Sequence, residues 1–243
     1  MEKTEKIGWL LLALSSLYFG FQVARGCYDY LKVKKEEEKV IKEENKGKDY
    51  ELSNFHTFDG FSVETFLNLY FMEKARKNLK NNYEKIAFDV DLARKSMEKN
   101  GAKKVLENIN LKPLVEAIII VESGGRNNEK SKKNAKGIAQ LSDAVIKKYN
   151  INPYNVKEAI EVCEKEILRL TGRYHNIPLA LIAYNWGEGN VNKLLKKYEK
   201  RKIELEKIPY RIPRQTHAYV IKVLSRYYHI CELQSKSLEE AFE

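Results

Sequence analysis

The stretch "AIIIVESGG", residues 117–125, decides how this chain is read. Residues 118–121 are all apolar and run straight into Glu122, Ser123, Gly124 and Gly125. Pro113 suits the first turn of a helix leading into Glu122. On that helix Glu122 shares a face with Ile118 and Ile119, at i−4 and i−3. A carboxyl emerging from apolar surroundings is desolvated, and desolvation favours its protonated form. A general acid working near neutral pH needs that property. A helix-terminal glutamate pointing into water fits the same spacing, so spacing alone leaves both readings open. Ser123 offers a short hydroxyl donor, and the two glycines let the chain turn away and leave space beside the carboxyl.

Outward from this point the periodicity is helical. Val63, Phe66, Leu67, Tyr70 and Phe71 follow i, i+3, i+4, i+7, i+8. Tyr83, Ile86, Ala87, Val90 and Met97 form a second stripe, with Gly101 as its stop. Asn155 followed by Glu158 is a capping box. Behind it Val156, Ala159, Ile160, Cys163, Ile167 and Leu170 make one face, and Gly172 is expected to end that helix. Pro178 and Pro213 open two further helices. No alternating strand pattern and no repeat of fixed period occurs, although the polar stretch 127–136 leaves room for a short hairpin. The expected fold is mainly α.

The 243 residues suffice for one domain with extensions, and 43% hydrophobic content argues against wholesale disorder. A net charge of +10 fits nucleic acid, a membrane surface or an acidic polymer without choosing among them. No clustered Arg/aromatic patch accompanies it, so nucleic acid is not expected as a partner. Cys27, Cys163 and Cys231 show no CxxC and no histidine at ligand spacing, which indicates neither a metal site nor a disulfide scaffold.

Residues 7–23, "IGWLLLALSSLYFGFQV", carry no charge and approach the roughly 20 residues that span a bilayer. Trp9 sits near one end, as an interface anchor would. "VARGC" ends as a lipoprotein site does, but Arg25 spoils it, so an uncleaved anchor is expected. Residues 31–48 mix Lys and Glu with few large apolar side chains and read as a solvated stalk. The expected organisation is a membrane anchor over 1–24, a charged linker over 25–50, a helical extension over 51–109, a catalytic domain over 110–232 and a tail over 233–243.

Three further segments bear on Glu122: "KGIAQLS" at 136–142, "AYNWGEGNV" at 183–191 and "QTHAYVIKV" at 215–223. With "ESGG", and in this order, they resemble the lytic transglycosylases of the soluble, goose-lysozyme-like family. That family shows an E-S helix end, a G-L-M-Q segment, A-Y-N-A-G and a late E-T-x-x-Y-V helix. The resemblance covers about half of the chain, roughly 111–230. It implies a lysozyme-like helical domain, peptidoglycan glycan strands as substrate and no cofactor or metal. It also implies Glu122 as catalytic acid/base and Ser123 beside it as a substrate contact. Gln140 would line the sugar groove. Tyr184 and Asn185 would belong to the third motif, and Tyr219 would face the same carboxyl. Trp186, where the family has alanine, either stacks on a sugar or fills core. Glu188, where the family has proline, is a competing carboxylate, expected to be a loop group in water.

Other departures mark a divergent branch. Ala139 replaces Met, and the link between the first two motifs is the Lys-rich "RNNEKSKKNAKG". Gln215 stands where the late motif has glutamate. With residues 7–23 as anchor, the resemblance points to a membrane-anchored lytic transglycosylase with its domain outside the cytoplasmic membrane, and to secretion or conjugation machines as candidate partners. A hydrolytic goose-type lysozyme and an inactive wall-binding scaffold are the alternatives. The charge count conflicts with this placement. Arg25, Lys32, Lys34 and Lys35 follow the apolar run, whereas Lys3 and Lys6 precede it, and the positive-inside rule would put the bulk of the chain in the cytoplasm.

Overall fold

The computed structural model describes residues 63–131, 134–200 and 207–241, with side chains described up to 235. The expected anchor and stalk, and Cys27, lie outside these residues. Among the described residues no helix is long and apolar enough to cross a membrane.

The described chain is helical: α1 (Val63–Asn81), α2 (Tyr83–Lys99), α3 (Ala102–Leu106), α4 (Lys112–Ser123), α5 (Asp143–Tyr149), α6 (Val156–Tyr174), α7 (Ile177–Trp186), α8 (Glu188–Glu199), α9 (Ile208–Arg211) and α10 (Arg214–Ala241). Among the described residues β structure is limited to isolated bridges, Lys130 with Lys136 and Lys136 with Leu141. Among its described residues the polar stretch therefore shows an isolated antiparallel bridge and no paired strands.

Helix α4 is the axis of the core. Leu114, Val115, Ala117, Ile118, Ile119 and Ile120 are all buried, so apolar residues surround it on every side. Pro113 occupies its first turn. Helix α10 packs along both α1 and α4, α6 packs on α7, and α7 on α8. The stripe from Val63 to Phe71 on α1 is buried as its period predicts. Glu116, on the buried side of α4, is matched by Arg94 of α2 at 2.6 Å. A buried carboxylate needs such a partner, since desolvation would otherwise neutralise it.

Three local expectations are corrected. Tyr83 is 41% exposed, because it is the first residue of α2; its ring rests edge-on against His229 instead of entering the core. The inward face of α2 is Ile86, Val90, Ala93 and Met97. Gly172 does not end α6. The helix runs on to Tyr174, and His175 takes the left-handed capping conformation at φ 48°. Burial of Thr171 and Tyr174 outweighs the roughly 1 kcal/mol that an interior glycine costs. Asn155 does cap α6, accepting from the Lys157 and Glu158 amides. The Glu158 carboxylate, however, accepts from Asn155 Nδ2 and the Asn152 amide, so the reciprocal half of the box reaches one loop further.

Candidate active site

Glu122 stands one residue before the end of α4. Gly124 caps the helix in the left-handed region at φ 61°, returning its N–H to the Ile120 carbonyl at 3.0 Å. Gly125 follows at φ 76° and packs against α2. A Cβ there would meet the Ala93 carbonyl oxygen at 2.6 Å and Met97 Cγ at 2.8 Å. The Gly125 carbonyl accepts from Ser96 Oγ at 3.0 Å and Asn100 Nδ2 at 2.7 Å. The glycine pair thus does more than clear space: it seats the turn beneath Glu122 on a neighbouring helix. Gly125→Ala is expected to cost about 2 kcal/mol through the left-handed backbone and the steric contact, measurable by urea unfolding.

The loop that carries the second motif folds back under the same helix end. Ser123 Oγ, fully enclosed, donates to the Ile138 carbonyl at 2.7 Å and so ties loop to helix. Gln140 adopts φ 47°, and its Nε2 donates to the Glu129 and Gly137 carbonyls, both at 3.0 Å. In this arrangement the Ser123 hydroxyl and the Gln140 amide nitrogen hold the protein's own backbone. Tyr184, from α7, donates to the Ala139 carbonyl at 3.0 Å and lies 3.5 Å from Cys163 Sγ. Asn185 is exposed and accepts from Thr216 Oγ1 at 2.9 Å, linking α7 to α10. Trp186 is half-buried at the last residue of α7.

Tyr219, from α10, closes the group. Its buried hydroxyl faces the Glu122 carboxyl without reaching ordinary hydrogen-bond geometry. Burial pushes the Glu122 carboxyl up to about 7, and the Tyr219 hydroxyl pulls part of that back. Burial, then the field of Glu122, holds the Tyr219 phenol well above its ordinary range. Tyr184 is raised for the same first reason, with Cys163 and Glu122 adding to it. Both phenols therefore stay protonated beside a carboxyl that changes charge near neutrality. Burial drives the Cys163 thiol up to about 12, so it is an inert neighbour rather than a nucleophile.

Glu188 is a different case, and the expectation of a loop carboxylate in water is corrected. It begins α8 and pairs with Arg169 at 2.9 Å and Arg173 at 2.8 Å. Glu166 is buried, which raises its pKa, but hydrogen bonds from Arg169 and Lys148 win and leave it below its usual value. Glu166 thus stays ionised, and both side chains are committed to cations, which unfits them for proton donation. Sequence motifs suggested neither Glu188 pair, because Arg169 and Arg173 lie a helix away from it along the chain.

At this helix end one carboxyl is desolvated near the Tyr219 and Tyr184 phenols, an arrangement able to give and take a proton near neutrality. Residues 100–207 match the transglycosylase SLT domain, a match that supports a lytic transglycosylase and lysozyme-like relationship for this segment. The match takes in Glu122, Ser123, Gln140, Tyr184, Asn185 and Trp186, while Tyr219 and all of α2 lie outside it. No curated protein gives a significant match to the chain.

Proposed function

We propose that this protein is a membrane-anchored lytic transglycosylase that cleaves the β-1,4 bond after N-acetylmuramic acid in peptidoglycan. The observation that carries the proposal is the Glu122 carboxyl, desolvated at the helix end and faced by Tyr219. The match of residues 100–207 to the SLT domain supports transglycosylase-type action on peptidoglycan.

Glu122, protonated, gives its proton to the glycosidic oxygen as the C1–O bond breaks. The substrate's own acetamide stabilises the positive centre, in place of a second protein carboxylate. Glu122, now ionised, takes the proton from the C6 hydroxyl, whose oxygen bonds to C1. The glycan leaves with a 1,6-anhydro end, no water is consumed, and Glu122 is protonated again for the next cycle. One carboxyl with a pKa near 7 suits both steps, since it must give and regain a proton at one pH.

The test is incubation of the full-length protein with purified peptidoglycan and mass spectrometry of the released muropeptides. Anhydro-muramic ends support the proposal. Reducing ends would identify a hydrolase, and binding without release would identify a wall-binding scaffold. The free enzyme must hold Glu122 protonated, so kcat/KM is expected to be flat at acid pH and to fall about tenfold per unit above pH 7. Tyr219→Phe removes the partner that lowers the Glu122 pKa, so the alkaline limb should move to higher pH. A limb that stays in place would show that Tyr219 does not act on the carboxyl.

The proposal places the domain outside the cytoplasmic membrane, where peptidoglycan lies, with residues 7–23 as anchor. The +10 charge would retain it on a wall rich in peptide carboxylates. A reporter active only outside the cytoplasmic membrane, fused after Glu243, should be active in cells; an inactive but stable fusion would reverse the topology. A local wall-opening role in a secretion or conjugation machine is compatible with such an anchor.

A further inference from the structure

Helix α2 precedes the family-matched segment, yet it is fastened to the turn that follows Glu122. Ser96 and Asn100 hold the Gly125 carbonyl, and Arg94 holds Glu116. Between α2, the end of α4 and Arg226 of α10 lies a cavity of about 440 Å³, lined in part by Asp89, Leu92, Glu122, Gly124, Arg126 and Arg226. Its volume falls within the range of small-molecule sites, about 300–1,000 Å³. Arg226 follows Tyr219 by seven residues, so the two share a face of α10, two turns apart.

The lining divides into two chemistries. Leu92 is 56% exposed, and Phe88, one turn earlier on the same face of α2, is 66% exposed. Of the two, Leu92 lines the cavity and offers it an apolar surface. Beside it Asp89 accepts from Arg226 Nη2 at 2.6 Å. The Arg226 Nε–H is buried and makes no hydrogen bond. An apolar ligand would leave the ion pair and this donor unmatched, and a small anion would meet Asp89. A pyranose has the same division as the cavity: apolar C–H faces and a rim of hydroxyl and acetamide groups.

The geometry points to this cavity as a saccharide subsite, in which Leu92 packs against a ring's C–H face and the Asp89–Arg226 pair hydrogen-bonds its polar rim. The inference rests on the glycan-cleaving reading above and adds residues that lie outside the SLT domain. It makes α2 a wall of the binding cleft.

The test uses the full-length protein and two readouts. In the first, the Glu122→Gln form is titrated calorimetrically with a hexamer of N-acetylglucosamine. Adding Leu92→Ala should weaken binding about fivefold, and adding Asp89→Asn about tenfold or more, as for loss of a charge-assisted hydrogen bond. In the second, the same two substitutions in the active protein should act on KM for peptidoglycan rather than on kcat. Leu92 is largely exposed, so its replacement leaves the fold intact even if Asp89→Asn does not. Unchanged affinity and KM in Leu92→Ala, with anhydro-muropeptides still released, would overturn the subsite alone. Leu92-dependent binding of the hexamer by a protein that releases nothing would support the subsite and sink the enzymatic reading.

Discussion

Glu122→Gln should remove release of anhydro-muropeptides by about 10⁴-fold while leaving binding to peptidoglycan in place. General acid–base catalysis contributes on the order of 10²–10⁴ in rate. The upper end is expected here, because in the proposed mechanism one carboxyl serves both proton transfers. Its nearest rivals cannot substitute. Glu188 is committed to Arg169 and Arg173, and Glu166 to Lys148 and Arg169. The amide of glutamine keeps the shape of the side chain, so Ser123, Tyr184 and Tyr219 retain their surroundings. The measurement is mass spectrometry of muropeptides alongside a pelleting assay on intact sacculi. Turnover within tenfold of the parent would place the acid elsewhere.

The same substitution should stabilise the fold at alkaline pH. In the folded chain the Glu122 carboxyl titrates at about 7, against 4.5 for the free group. Below the lower value both folded and unfolded chains hold the proton, and Glu122 costs nothing through ionisation. Between the two values the unfolded chain has lost its proton while the folded chain keeps it. Stability therefore falls as pH rises through that window and levels off above about 7. The span corresponds to about 3 kcal/mol. Glutamine has no such titration, so Glu122→Gln should match the parent near pH 4 and exceed it by about 3 kcal/mol at pH 8. That is a rise in Tm on the order of 6–12 °C for a domain of this size. Urea unfolding at the two pH values decides it; an equal difference at both would mean that the carboxyl is not desolvated. The two results together describe a site that gives up stability to hold an acid near neutrality.

Much of the fold was legible because burial follows period. The α1 stripe, the prolines of α4 and α7, the Asn155 cap and the glycine stop after α2 each rest on interactions within a few residues. Expectations failed where distant contacts prevailed. Tyr83 belongs to the right period but sits at a helix start, where the neighbouring layer no longer covers it. Gly172 has the right chemistry to stop a helix, yet packing on both sides of it carries α6 onward. In the site, motif order brought Glu122, Gln140, Tyr184 and Tyr219 to attention, but not what each side chain holds. Gln140 and Ser123 spend donors on backbone carbonyls, a use that depends on the path of one loop. Asp89, Leu92 and Arg226 fall in no motif, and only the packing of α2 against α4 and α10 brings them to the cavity.

The sequence by itself determined that this is a helical chain in which an apolar helix ends on a carboxyl and two glycines. Helix propensity, period and capping are local, and residues close in sequence report them. It left open whether Glu122 faces water or protein. A 3.6-residue period sets the direction in which a side chain leaves its helix, but says nothing of what lies opposite. Only the tertiary structure brought Tyr219 from nearly a hundred residues later to face that carboxyl, and buried the pair together. Desolvation is a property of that whole surrounding, so the shift to about 7 exists only in the folded chain.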